Sequence, residues 1–206
     1  MADLVFMLVR FSQLLDTGGR REEARSARRE VLSVLAELAE SGDRARHGGF
    51  RSLWVVLLVL GGRGDEPAAP GAPAPPFGSH LHHGWSPDVR QRYLDGRSAL
   101  RRELAVLALL AESAPERHLL RMVTLQRRLT VRTAVETEMQ IHQVLELLMP
   151  LFDEGVALAR RLVSVDIVQG SVALARALTD RSTLLVLGGC HCEALADFAE
   201  ATELFG

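Results

Sequence analysis

Residues 177–204 read ALTDRSTLLVLGGCHCEALADFAEATEL, in which an apolar stretch ends in two glycines and a second, mixed stretch follows. A glycine after an apolar helix commonly takes the left-handed conformation that ends the helix. Small residues such as Ala194 then let a second helix approach the first closely. We therefore predict a helical hairpin that reverses at Gly188-Gly189.

The same pattern occurs twice more in the chain. Residues 7–28 read MLVRFSQLLDTGGRREEARSAR, and residues 52–67 read SLWVVLLVLGGRGDEP. Gly19 and Gly62 are 43 residues apart, and Gly62 and Gly189 are 127 residues apart, close to three intervals of that size. Such self-similarity is typical of helical repeat arrays, in which each hairpin buries its apolar face against its neighbours.

The remaining sequence is also helix-like, since Leu, Ala, Arg and Glu dominate and no period-two alternation marks a strand. Ser113 and Glu116 are expected to form a capping box around Pro115, and Pro150 should bend or end its helix. Helices are predicted at about 4–16, 21–39, 50–60, 87–112, from 115 past 130, around 150, at 172–187 and at 193–204.

The segment from Pro67 to Pro87 differs in composition, because it holds six of the eight prolines. Proline removes a backbone donor and fixes φ, so this segment is predicted to be a linker or a long surface loop. The chain then divides into N-terminal helices at 1–66, a linker at 67–86 and a helical region at 87–206. The expected fold class is all-α, with antiparallel helical hairpins stacked as a short α-solenoid that the Pro-rich loop interrupts.

Charge and composition exclude several classes of partner. The net charge of −2 leaves no basic excess for a phosphate backbone, so no nucleic acid is expected. The apolar run 53–60 is eight residues long, far short of the roughly 18 to 20 needed to cross a bilayer. Two cysteines and an N-terminus without a basic signal region fit the cytoplasm, and no membrane association is expected.

The hairpins resemble tetratricopeptide repeats, in the longer-period form common in helical arrays of high-GC bacteria. In the last unit Gly189 is similar to the interhelical turn glycine of that family. Its other matching positions are Leu178, Ser182, Ala194, Phe198 and Ala201. The opening unit matches through Leu8, Phe11, Ser12, Leu15, Gly19 and Ala24.

The resemblance has gaps. Arg28 stands where the family usually has an apolar packing residue. In the second unit Trp54 and Leu58 match, but Pro67 occupies the place of a small helix B residue. Between Ser86 and Val165 only residues 151–162 look like the end of another helix B, so the number of repeats there stays open.

Tetratricopeptide arrays bind peptides or protein surfaces along a concave face lined by their first helices. The resemblance therefore implies a scaffold or adaptor for a protein partner rather than an enzyme. The partner-facing positions that it implies are Phe6, Val9, Gln13, Asp16, Arg176, Thr179, Asp180 and Thr183. The family's Lys and Asn clamp on a C-terminal carboxylate is impossible here, because the chain has neither residue. The planar fork of Arg176 offers a substitute.

A second hypothesis is a closed helical bundle that encloses a small apolar ligand and acts as a sensor or regulator. The Leu-rich middle helices and Pro150 favour it, since they could frame an internal pocket. A homodimer is also compatible with the sequence, because the last apparent helix is not followed by a polar capping helix. No catalytic constellation or phosphate loop is present, so no enzyme activity is expected.

Cys190-His191-Cys192 contains zinc-ligand types, and His80, His82 and His83 could add further ligands. However, only one residue lies between the two cysteines, whereas zinc motifs usually have two to four intervening residues. The motif also falls in an interhelical turn. We therefore predict ordinary thiols, one of them partly buried, with no metal and no cofactor.

Overall fold

A computed structural model of the chain describes residues 2–41, 87–136 and 141–205. These residues form seven α-helices and include no β-strand, which confirms the all-α prediction for them. The helices are α1 (Ala2–Thr17), α2 (Arg21–Ser41), α3 (Pro87–Ser113), α4 (Pro115–Glu136), α5 (Ile141–Val163), α6 (Ile167–Leu187) and α7 (His191–Leu204).

The two glycine doublets within the described residues, Gly18-Gly19 and Gly188-Gly189, end their helices in the same way. Gly19 and Gly189 each have a φ of 74°, in the left-handed region that favours glycine. At the first doublet the N–H of Arg20 donates to the carbonyl of Leu15 at 2.9 Å, and at the second Cys190 donates to Leu185 at 2.9 Å. Each bond satisfies a carbonyl that the helix end would leave open. The predicted reversals at Gly18-Gly19 and Gly188-Gly189 are confirmed.

The first and last hairpins of the chain lie side by side. Within each hairpin the two helices pack together, α1 with α2 and α6 with α7. Between the hairpins α2 packs against α7, and α1 contacts α6. The remaining helices follow in chain order, since α3 packs on α4, α4 on α5 and α5 on α6.

The core consists of two main apolar clusters. The first combines residues of both hairpins with α5, and its fully buried members include Phe6, Leu35, Leu148 and Leu184. The second joins α3, α4, α5 and α6 with Ala201 of α7. Residues 2–41 and 141–205 therefore share one core, because neither end hairpin can bury its apolar face alone.

The positions that resemble the repeat family are mostly buried. In the last hairpin these buried positions are Leu178, Ser182, Ala194, Phe198 and Ala201. Ser182 also ties α6 to α7, since its Oγ donates to the carbonyl of Ala194 at 2.9 Å. In the first hairpin Ser12, Leu15 and Ala24 are buried, but Phe11 is 51% exposed. Phe11 is therefore not packed in the core that the described residues form.

Several helix ends differ from their prediction. Helix α6 begins at Ile167 instead of about 172, because the Asp166 carboxylate caps it and accepts from the N–H groups of Val168 and Gln169. Ser113 forms no capping box, since it is the last residue of α3 and its Oγ donates back to the carbonyl of Leu110. Pro150 does not end its helix, because α5 continues on both sides of it.

Other predictions fall outside the described residues. These are the helix at 50–60, the linker at 67–86 and the repeat positions Trp54, Leu58 and Pro67. Within the described ranges, none of the helices has both the length and the apolar character that a membrane crossing requires.

Candidate functional site

A cleft opens where the two end hairpins meet, and we call it the charged cleft. It is open to solvent, and its cavity volume is about 30 Å³. Its walls come from α1, α2, α4, α6 and α7. The lining residues are Ser12, Gln13, Asp16, Arg28, Arg127, Arg176, Thr179, Asp180, Phe198 and Phe205.

Five of the eight predicted partner-facing residues line this cleft. Gln13 and Asp16 are one turn apart on α1, and Arg176, Thr179 and Asp180 share one face of α6. Helical spacing alone places each group on one face of its helix. The contact between α1 and α6 then brings together two groups that lie about 160 residues apart in the sequence.

The other three predicted residues do not line the cleft. Phe6 and Val9 belong to the first core cluster, where they are 0% and 1% exposed. They are apolar side chains on the face of α1 that closes against its neighbours, so the partner-facing expectation is corrected for both. Thr183 is also buried, and its Oγ1 donates to the carbonyl of Thr179 at 2.8 Å.

Arg28 is a cleft residue that the sequence reasoning missed. It is buried and forms an ion pair with Asp16 across the first hairpin. Its guanidinium carbon lies 4.2 Å from the ring centroid of Phe205, close enough for a cation–π interaction. Arg28 therefore occupies the packing position after all, because Asp16 compensates its charge and Phe205 covers its planar face.

Arg127 is a second cleft residue that the sequence reasoning missed. Its Nε lies 2.6 Å from Oδ2 of Asp180 on α6. Nη2 of Arg127 lies 3.4 Å from the other carboxylate oxygen. The Asp180 side chain is only 5% exposed, so the pair is partly desolvated and links α4 to α6.

A second, mostly apolar cleft lies beside the first, and we call it the apolar cleft. It lies between α4, α5 and α6, and its cavity volume is also about 30 Å³. Its lining residues are Val123, Arg127, Thr130, Leu151, Phe152, Gly155, Ala173, Ala177 and Asp180. Arg127 and Asp180 line both clefts, so their ion pair stands at the boundary between a charged and an apolar surface.

Arg181 forms a separate ion-pair network outside both clefts. Its Nε and Nη2 lie 2.7 and 2.6 Å from the two carboxylate oxygens of Asp197, and its Nη1 lies 2.8 Å from Asp153. The hydrogen bonds to Asp197 raise the pKa of Arg181 above its ordinary value, and the bond to Asp153 adds to this. The network holds α5, α6 and α7 together, and it has a structural role.

The two cysteines of the motif lie at the start of α7 and form no disulfide bond. Cys190 is partly buried and Cys192 is exposed. No group of three or more His, Cys, Asp or Glu side chains is arranged to hold a metal ion in the part of the chain that the structure describes. His80, His82 and His83 lie outside that part.

Comparisons with models of protein families, with curated proteins and with solved structures find no match to this chain.

Proposed function

We propose that the chain is a peptide-binding or protein-binding module of the tetratricopeptide-like class, with its hairpins stacked as a short solenoid. The observation that carries this proposal is the meeting of Gln13 and Asp16 with Arg176, Thr179 and Asp180 in one cleft. These five are among the partner-facing positions that the resemblance to tetratricopeptide repeats implies.

The packing of the end hairpins supports the stacked arrangement. Both hairpins have the same left-handed glycine hinge, and the small residues at Ala24, Ala194 and Ala201 are buried. Each hairpin covers part of the other through α2 and α7. This mutual burial is the property that makes repeat arrays stable.

The charges of the cleft favour an acidic ligand group. Three guanidinium groups face two carboxylates there, namely those of Asp16 and Asp180. Arg28 pairs with Asp16 and Arg127 pairs with Asp180, and Arg176 lines the same cleft. By formal charge the lining has one more guanidinium group than carboxylates, and a planar guanidinium group can bind an entering carboxylate through two hydrogen bonds.

The neighbouring apolar cleft adds a preference for an apolar side chain in the ligand. A chain segment that places a carboxylate in the charged cleft can reach the surface of Val123, Phe152 and Ala177 with a nearby side chain. The expected ligand is thus an extended peptide segment in which an acidic residue is followed or preceded closely by an apolar one. In peptide recognition, polar contacts commonly orient the ligand while its apolar side chains are buried in pockets.

A small apolar ligand is the second candidate, and the apolar cleft is the observation in its favour. Most of its lining residues are apolar, as is usual in sites that bind small apolar molecules. Thermal shift against a metabolite library separates the two functions. A large stabilisation by one small apolar compound, with no peptide bound, would favour the ligand-responsive regulator.

The direct test is a selection of peptides from a random display library on the full chain. We expect enrichment of sequences that combine Asp or Glu with an apolar neighbour. Their affinity should fall about tenfold or more in Arg176→Gln, as expected when a charged hydrogen-bonding partner is lost. Arg160→Gln is the matched control, since Arg160 pairs with Glu200 on an exposed surface outside the cleft. Equal loss in both variants, or no enriched peptide, would contradict the proposal.

A further inference from the structure

The positive and negative groups of the charged cleft nearly balance. Among the described residues its lining has a formal charge of +1, from three guanidinium groups and two carboxylates, namely Arg28, Arg127, Arg176, Asp16 and Asp180. One carboxylate of a ligand neutralises this charge. A phosphorylated residue carries about −1.5 to −2 at neutral pH, so it would leave a net negative charge in a partly enclosed space.

The two ion pairs of the cleft differ in which partner is accessible. Arg28 pairs with Asp16, but its side chain is only 6% exposed. The ring of Phe205 also covers its guanidinium group, with 4.2 Å between the guanidinium carbon and the ring centroid. Removing the charge of Asp16 would therefore leave a cation that a ligand cannot reach.

The pair of Arg127 and Asp180 has the opposite arrangement. Here the carboxylate is the buried partner, with the Asp180 side chain 5% exposed, whereas the Arg127 side chain is 32% exposed and lines both clefts. A ligand at the boundary of the clefts can thus approach Arg127 from solvent. Asp180 neutralises the same guanidinium group from the buried side, where charges are screened less than in bulk water.

We propose that Asp180 determines the charge selectivity of the charged cleft. Because it neutralises Arg127, the cleft accepts a peptide group with one negative charge and discriminates against a dianionic group such as phosphoserine. This role rests on the proposed function, since it concerns the same site and the same class of ligand. Asp180 acts through Arg127 and is a specificity-determining residue in addition to its structural link between α4 and α6.

Removing the charge of Asp180 should therefore change the preferred ligand. Asp180→Asn keeps the size and shape of the side chain, but it raises the formal charge of the described lining from +1 to +2. Arg127 then attracts an entering anion more strongly, because the carboxylate that opposed this attraction is gone. A phosphoserine dianion matches the new charge, whereas a single carboxylate leaves one positive charge without a counterpart.

Asp197 offers a matched control. Its side chain is 8% exposed and pairs with Arg181, whose side chain is 22% exposed, in the network outside both clefts. Asp197→Asn removes the same charge from a buried carboxylate that is paired in the same way. It changes the net charge of the protein by the same amount and leaves the charges of the cleft as they are.

The test compares two peptides on the full chain by isothermal titration calorimetry. The first is the acidic peptide that selection on the parent protein enriches, and the second has phosphoserine in place of its Asp or Glu. In the parent we expect the phosphoserine peptide to bind about tenfold more weakly. In Asp180→Asn its relative affinity should rise about tenfold or more, and in Asp197→Asn it should stay within about twofold of the parent value.

The outcomes separate the role of Asp180 from the proposed function. If the first peptide binds and depends on Arg176, but the two peptides bind the parent equally well, the proposed function stands and the selectivity is refuted. The same holds if the affinity ratio is unchanged in Asp180→Asn, or if Asp197→Asn shifts it equally. If selection enriches no peptide, the proposed function fails and the role of Asp180 fails with it.

A second measurement needs no peptide and shows whether both variants fold. Thermal unfolding of the parent, Asp180→Asn and Asp197→Asn is followed in sodium sulfate and in sodium chloride at equal ionic strength. Sulfate stabilises folded proteins in general, and this effect is common to all three. Because sulfate is a dianion, we expect a further rise in the unfolding midpoint of about 2 °C or more in Asp180→Asn alone. An equal rise in all three proteins would overturn the proposal.

Discussion

Arg127 of α4 and Asp180 of α6 form an ion pair, with Nε and Oδ2 2.6 Å apart, at the boundary between the charged cleft and the apolar cleft. The two residues are 53 positions apart in the chain. Their pairing fixes the relative position of α4 and α6 and thereby shapes both clefts. One contact is thus responsible for part of the stability and for the form of the proposed site.

Removing Arg127 and removing Asp180 should lower the free energy of unfolding by different amounts. Arg127→Gln leaves the carboxylate of Asp180 buried without its cation, so we expect the free energy of unfolding to fall by about 3 kcal/mol. Asp180→Asn should cost about 1 kcal/mol, since the Arg127 side chain is 32% exposed and can be hydrated. Urea unfolding measures both.

The double variant is the control for this interpretation. If the pair is coupled as the distance indicates, Arg127→Gln with Asp180→Asn should be less destabilised than the sum of the single variants. Strict additivity, or an equal cost for the two single changes, would show that Asp180 does not depend on Arg127.

Gly170 should be intolerant of any side chain. A Cβ at this position in α6 would lie 2.4 Å from the backbone N and Cα of Val163 in α5. Gly170→Ala is therefore expected to destabilise the protein by about 3 kcal/mol, at the upper end of overpacking costs. Gly155→Ala in α5 is the matched control, since the nearest atom to its Cβ is 4.0 Å away. That change should stabilise the helix by about 0.5–1 kcal/mol. Thermal unfolding measures the stability of the two variants. A similar loss of stability in both would contradict the close approach of α5 and α6 at Gly170.

The hinge of the first hairpin gives a test of backbone conformation alone. Gly19 has a φ of +74°, and a Cβ there would meet nothing within 4 Å. Gly19→Ala should thus cost about 1–2 kcal/mol from the left-handed conformation only. Gly18→Ala meets ordinary contacts at 3.5 and 3.6 Å, and its φ is not in that region, so it should be nearly neutral. If chemical denaturation shows equal effects, the hinge is not where the structure places it.

Arg181 should not be replaceable by lysine. A single ammonium group cannot reproduce the three hydrogen bonds to Asp197 and Asp153, so Arg181→Lys is expected to lose about 1–3 kcal/mol. The exposed Arg160–Glu200 pair is the control, and Arg160→Lys should change stability by less than about 0.5 kcal/mol. Equal unfolding midpoints for the two variants would contradict the structural role of Arg181.

The same network makes a prediction about pH. The folded state raises the pKa of Arg181, so its stabilising contribution is complete below the unfolded pKa and is lost only as pH rises through the folded one. Both values lie beyond the range in which proteins are usually handled. We expect the stability difference between Arg181→Lys and the parent protein to stay constant from about pH 6 to pH 8, where both side chains are charged. A difference that varies in this range would implicate another titrating group.

The sequence predicts the hinges and the helical faces because both depend on local chemistry. Gly19 and Gly189 can be recognised from the apolar helix that precedes them, and the one-turn spacing of Gln13 and Asp16 places them on one face. The early start of α6 had a readable signal in Asp166, a carboxylate followed by backbone N–H groups that it caps.

The ionic contacts of the cleft could not be predicted in the same way. Arg28 and Arg127 have their partners on other helices, 12 and 53 residues away, so the neighbouring sequence contains no sign of them. Phe6 and Val9 share the helical period of Gln13 and Asp16. Only the packing of α1 against its neighbours determines that Phe6 and Val9 are buried whereas Gln13 and Asp16 line the charged cleft.

Hydrogen exchange with a selected peptide tests the central claim most directly, namely that the two ends of the chain form one binding site. Backbone amides of α1 around 13–16 and of α6 around 176–180 should gain protection together when the peptide saturates the protein. At the peptide concentration that half-saturates the parent protein, Arg176→Gln should weaken the protection of both helices. Protection limited to one of these helices, or located on α3 away from the cleft, would contradict the claim.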